Sequence, residues 1–208
     1  KDTPALAAAL YLAAAAGHLE RDQAEVERLA SVLMELSARH RFPFWLAGGE
    51  VLRGWVRSAS GDIVEGIAWI EDGIREYRAT GVTLTMPYLL TLKAEALFLA
   101  GRVSEALEAI REAETVVGKF EERWWCGEVH RLRGIFLATS GAEEAQVEAS
   151  FCDAIQTAKR QKSFSLMNRA EATYAEYRSR RGKKQPVFTP SDLLSSHSPQ
   201  RSSPVGEL

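Results

Sequence analysis

The sequence predicts an all-α fold, a right-handed α-solenoid of antiparallel helix pairs with about nine helices. Three observations lead there. Gly61, Gly101 and Gly141 stand 40 residues apart, Gly182 follows 41 further on, and a small residue precedes each by seven: Gly54, Ala94, Gly134 and Ala175. Between the glycines, apolar residues step by three and four, the spacing of one helical face. Strand-type alternation appears nowhere at length.

The first pair is expected at about 4–40. Asp2 and Pro4 lead into the apolar run Ala5–Ala16, which lacks the basic, apolar, small-residue order of a signal peptide and is read as a helix in a chain cut from something longer. Gly17 and Asp22 then precede the stripe Val26, Leu29, Leu33 and Leu36. The second pair, 43–80, carries Leu52 and Gly54, turns at Gly61, and returns with Ile63, Ile67, Ile70, Ile74 and Tyr77. The third, 84–120, repeats this with Leu92, Ala94 and Gly101, then Val103, Leu107, Ile110 and Val117. The fourth, 123–162, has Leu132, Gly134 and Gly141, then Val147, Phe151, Ala154, Ile155 and Ala158. A lone last helix covers 164–181. Residues 1–182 therefore form one helical repeat domain.

Each turn glycine ends a helix because Gly enters the left-handed region without steric cost. The small residue inside each first helix lets its partner approach, and Gly66, Gly73, Ala106, Ala113 and Ala154 are the reciprocal small positions. A helix-interior Gly costs about 0.5–1 kcal/mol relative to Ala, which close packing must offset. One pair cannot bury its own stripe; stacked pairs can.

Beyond Gly182 the composition changes. Residues 183–208 hold four of the seven prolines, six serines and six scattered apolar residues, so this segment is expected to be a disordered tail. Thr189-Pro190, Ser198-Pro199 and Ser203-Pro204 are candidate phosphosites within it, with a loose tail the stronger reading. The net charge of −2 excludes a strongly basic nucleic-acid footprint over the whole chain. No long uncharged apolar run suggests a membrane span. Two cysteines make no disulfide framework, and a cytoplasmic setting without nucleic-acid or membrane partners is expected.

Motifs for chemistry are sparse. Phosphate-loop, zinc-protease, nucleophile-elbow and paired-cysteine patterns do not occur. Cys126 and His130 share one helical face, but a closed zinc site wants four ligands and no second pair is near in sequence. Cys126 and Cys152 are read as small buried hydrophobes, and Glu143, Glu144 and Glu148 as a solvated helix start. Trp45, Trp69, Trp124 and Trp125 are assigned to the core. The expectation is a non-enzymatic chain without cofactor or metal.

A partner-binding groove is the remaining candidate. Arg53, Lys93 and Arg133 recur at 40 and are expected to form a basic ladder. Their alternative role is to pair with Glu50, Glu95 or Glu128 and hold the repeats in register. Counted along the first helices, Val51, Trp55 and Ser58 face the concave side, as do Thr91, Glu95 and Phe98, then Arg131, Ile135 and Ala138. Tyr88 and Glu128 lie one turn earlier. The candidate groove is thus Arg53, Trp55, Tyr88, Lys93, Glu95, Phe98, Glu128, Arg131 and Arg133, suited to an acidic or amphipathic peptide.

Several runs carry a resemblance. Phe42-Pro-Phe-Trp-Leu-Ala, Leu52-Arg-Gly-Trp55, Tyr77-Arg-Ala-Thr-Gly81 and Met86-Pro-Tyr-Leu-Leu90 occur in order, followed by Ala94-Glu-Ala-Leu97, Glu122-Arg-Trp-Trp125 and Glu128-Val-His-Arg-Leu-Arg-Gly134. Over about 5–182 the chain resembles the C-terminal tetratricopeptide (TPR) region of bacterial multidomain signalling proteins. Those proteins join an adenylate/guanylate cyclase or DNA-binding domain to a STAND-type AAA-like ATPase. The resemblance implies a regulatory TPR module that binds a protein, a peptide or the upstream domains of its parent. Alternatives are the sensor region of a maltose-regulator-like, ATP-dependent transcriptional activator, and a dimerisation scaffold forming a homodimer. Arg57 and Lys93 depart from the family's usual apolar positions, and Glu121 and Lys162 replace the loop glycine that Gly81 keeps.

Overall fold

The computed structural model describes residues 2–120, 124–182 and 187–195. Ten helices fill most of them: α1 (Thr3–Glu20), α2 (Gln23–His40), α3 (Pro43–Ala59), α4 (Ile63–Ala79), α5 (Met86–Leu99), α6 (Val103–Phe120), α7 (Cys126–Ser140), α8 (Glu144–Arg160), α9 (Phe164–Arg180) and α10 (Pro190–Leu194). There is no strand among the described residues. Successive helices pack as pairs, and each first helix also packs on the first helix of the next pair, α1 on α3 through to α7 on α9. The result is a solenoid with α1, α3, α5, α7 and α9 inside and α2, α4, α6 and α8 outside. No helix among the described residues is long and apolar enough to cross a membrane.

Local chemistry sets the helix ends. Asp2 accepts from the Ala5 amide at 3.2 Å and Asp22 from the Glu25 amide at 3.0 Å, each satisfying an otherwise orphaned N–H. Gly61, Gly101, Gly141 and Gly182 take the positive φ that the turn requires. One equivalent is not glycine: Arg21, which stands 40 residues before Gly61, holds φ 61°. At the loops between pairs, where Gly81 stands, Arg41 and Lys162 hold φ 56° and 55°. A side chain in this region costs free energy that glycine does not.

The small residues bring α3 and α4 to backbone contact. A β-carbon at Gly54 would lie 2.8 Å from the Gly66 carbonyl oxygen, and one at Gly66 would lie 2.6 Å from that of Gly54. At Gly134 the neighbour is the Phe151 ring, 2.7 Å from such a carbon.

The expectation of a disordered tail over 183–208 needs correction for 187–195. This segment turns back onto the solenoid, burying Phe188 and Leu193 in the common core. Composition misled because two well-placed apolar side chains suffice when a seat already exists. Residues 183–186 and 196–208, with Ser198 and Ser203, lie outside the described residues, as do Glu121 and Glu122.

Candidate functional site

The inner helices place equivalent side chains in columns. Tyr88 and Glu128 share one column, 40 residues apart, and Arg169 joins them by the same 41-residue step that separates Gly141 from Gly182. Trp55, Glu95 and Ile135 form another. The columns point inward as expected, but they do not line an open groove. Trp55, Tyr88, Glu95, Phe98, Glu128 and Arg131 are all buried. The expected concave groove is corrected to a closed interior: the coil is tight enough that side chains from opposite walls meet and fill it.

What they build is an ionic network. Arg21 donates to both oxygens of Glu95, at 2.6 and 2.9 Å, and the Trp55 indole donates to Oε2 at 2.9 Å. His18 Nε2 lies 3.1 Å from the same oxygen, and its ring meets Trp55 edge to face. A second centre follows on α7 and α9. Arg131 grips Glu128 at 2.6 and 2.9 Å and donates to Thr173 at 3.2 Å, while Arg169 approaches Glu128 at 3.4 Å. Arg169 also donates to the backbone oxygen of Leu19 at 2.8 Å, joining the last inner helix to the first.

The electrostatics follow from burial and pairing. Burial raises the Glu95 pKa, but Arg21 and His18 outweigh it and hold this carboxylate well below its usual range. Burial also raises that of Glu128, yet Arg131 and Arg169 hold it at about 2. The His18 imidazole is pushed below 6.5 by burial, against the pull of Glu95. Burial brings Arg169 down to about 10, with Glu128 opposing. Both carboxylates are saturated by donors, so neither is poised to shuttle protons. The arrangement is suited to locking helices together.

Arg53, Lys93 and Arg133 do not join this interior. They point away from it toward the outer helix of the preceding pair, Arg53 to Glu27 at 2.9 Å, Lys93 to Glu71 at 2.9 Å and Arg133 to Glu114 at 3.5 Å. The ladder exists, but as cross-braces between pairs, and its acids are not the Glu50, Glu95 or Glu128 considered from sequence. Trp69 lies against this layer, with the Arg53 and Arg57 guanidiniums 5.3 and 4.8 Å from its ring.

Four further residues depart from expectation. Trp45 and Trp69 are only half-buried, Trp124 is exposed, and Cys152 is exposed whereas Cys126 is buried. Trp124 is one of a set. Leu84, Trp124 and Phe164 repeat at 40 residues where the inner helices begin, and are 56%, 39% and 72% exposed. An outward concavity of about 410 Å³ between α6, α7 and α8 is lined by Val117, Cys126, His130, Thr157, Arg160 and Gln161. Among the described residues no three His, Cys, Asp or Glu side chains are grouped to hold a metal ion.

Sequence reasoning missed His18, Arg21 and Arg169. The column rule would have exposed Arg169 beside Tyr88 and Glu128. Arg21 had a signal too, as the non-glycine occupant of the turn position kept by Gly61, Gly101 and Gly141.

No protein-family model matches this chain, and no solved structure does. An uncharacterised protein of Rhizobium meliloti (strain 1021) is 28% identical over 158 residues, a stretch covering 73% of this chain and 15% of that protein. The chain thus aligns with a small part of a much longer relative.

Proposed function

We propose that this chain is a non-catalytic protein-interaction module of TPR type, acting as a regulatory segment of a longer signalling protein. The carrying observation is the exposed apolar edge: Leu84, Trp124 and Phe164 stand exposed where three successive inner helices begin. A rigid curved frame that presents one apolar side chain per repeat is suited to a polypeptide partner, since aromatic and aliphatic anchors dominate interface energetics. The saturated interior carboxylates support a structural role for the buried charges. The partner is another protein or the upstream domains of the parent, with cyclase or ATPase activity residing there as the resemblance implies.

Photo-crosslinking in cells tests this reading. A photoreactive residue at position 84, 124 or 164 should give discrete crosslinks to another polypeptide or to a distant part of the parent. Absence of crosslinks at all three positions, with abundant folded protein, would overturn it. A second observation favours a dimerisation scaffold: α1 exposes Leu6 and Leu12. Sedimentation of the purified chain beside a Leu6→Glu, Leu12→Glu variant tests that reading; a chain monomeric at all concentrations removes it.

A further inference from the structure

The segment 187–194 does not continue the repeat. An outer helix should follow α9, packed on its outward side. Instead the chain turns inward and α10 contacts the inner helix α5. Phe188 is buried, its ring 6.4 Å from that of Phe151. Phe188, Thr189, Asp192 and Leu193 close over Arg131, Ile135, Thr173 and Glu176, leaving a crevice of only about 10 Å³. Arg180 fastens the segment by donating to both oxygens of Asp192, at 2.8 and 3.0 Å, and to the Val187 carbonyl at 3.1 Å.

We propose that 187–194 is a displaceable internal ligand, and that its seat on α7 and α9 is a docking site for a partner segment of the same chemistry. That chemistry is an aromatic residue, then Thr-Pro, then an Asp–Leu pair four and five residues after the aromatic. The inference rests on the interaction-module reading and adds to its exposed edge a second site and the chemistry of what docks there.

Two features make the seat exchangeable. The groups that bind the segment keep partners when it leaves: Arg180 also pairs with Glu176, and Arg131 retains Glu128 and Thr173. No buried charge is orphaned by departure, so the usual penalty for breaking a buried ion pair is absent. The segment also has little structure of its own to lose. Its five-residue helix is far below the length at which a helix persists in water and is held locally by a capping box between Thr189 and Asp192. The seat supplies its order, and an equivalent segment in trans meets the same seat.

The test uses the full chain carrying Phe188→Ala, Asp192→Asn and Leu193→Ala, which removes the segment's anchors and leaves the residues of the seat unchanged. The probe is a fluorescein-labelled peptide of the sequence Val187 to Ser195, followed by anisotropy. The peptide should bind this variant with micromolar affinity and the native chain at least tenfold more weakly. A peptide with Asp192→Asn should also bind the variant at least tenfold more weakly. No binding to a variant whose helicity is intact, or equal binding to both proteins, overturns the proposal. Hydrogen exchange on the native chain gives an answer even if the variant misfolds. The amides of Asp192 and Ser195 should exchange by local opening, much faster than those within α5; exchange only by global unfolding would make the segment an integral part of the fold and sink the idea. Peptide failure alongside crosslinks from positions 84, 124 or 164 removes this seat alone, whereas loss of those crosslinks removes the module reading beneath it.

Discussion

Arg21–Glu95 and Arg53–Glu27 are the same chemistry in two solvents. The inner pair is sealed from water, doubly hydrogen-bonded and supplemented by an indole and an imidazole. The outer pair is about one-third exposed on each side. Ion pairs of the outer kind contribute little, about 0.2–1 kcal/mol each. Inner pairs cost several kcal/mol per ion to desolvate, so their net gain is small while the loss on breaking one is large. The contrast separates two jobs. The outer ladder braces each pair to the next at low cost, whereas the interior couples helices that are far apart in sequence.

The largest effect should come from breaking the interior. Glu95→Gln leaves Arg21 buried without its counter-charge and should destabilise by about 3–5 kcal/mol in denaturant titrations. Adding Arg21→Met should return part of that loss, because the orphaned cation is gone. A cost below about 1 kcal/mol for Glu95→Gln would erase the distinction between the two sets.

Acid should separate them next. His18 is held below 6.5 in the fold. Below pH 6.5 the unfolded chain therefore binds a proton that the folded chain refuses, and stability falls as pH drops through that window. Glu128, held at about 2 against an ordinary 4.5, adds a loss between those values. Melting curves at pH 7, 5.5 and 4 should show a falling Tm, with His18→Phe flattening the change between pH 7 and 5.5. An unaltered slope in that variant would exclude His18 as the source.

Reversing the ladder comes third. Arg53, Lys93 and Arg133 changed together to Glu place like charges against Glu27, Glu71 and Glu114, and about 1–3 kcal/mol of stability should be lost. Molar salt should recover most of it, since these charges are open to screening. Helicity by circular dichroism should not change. The smallest effect belongs to Arg133→Gln alone, where the contact is 3.5 Å: about 0.5 kcal/mol or less. A larger loss there than at Glu95 would invert the comparison.

The period of 40 made the repeat legible because close packing forces small residues and turn glycines to recur. It also gave the inward direction of Trp55, Glu95 and Arg131, which follows from helical spacing alone. What it did not give is how tightly the coil closes. That depends on small rotations between pairs, and a few degrees decide between an open groove and a filled interior. The ladder was visible as a period, but its partners were not, because Glu27, Glu71 and Glu114 sit on outer helices at uneven distances from it. Arg21 was hidden by the very regularity that revealed the rest: the eye follows the glycines and passes over the turn that lacks one. The docking of 187–195 lay beyond composition, since two apolar residues count for little until a receptive surface is known.

The hydrogen bond from Arg169 to the Leu19 carbonyl spans 150 positions of sequence. A linear array of repeats has two free ends and melts from either one, each unit lost at the expense of a single interface. Tying the last inner helix to the first removes one of those starting points and makes the other depend on it. Fraying at α9 withdraws a donor from α1, and fraying at α1 takes His18 and Arg21 from α5. Partial unfolding thus propagates to both termini at once, and the chain should lose its structure as a unit, more like a globular domain than a row of dominoes.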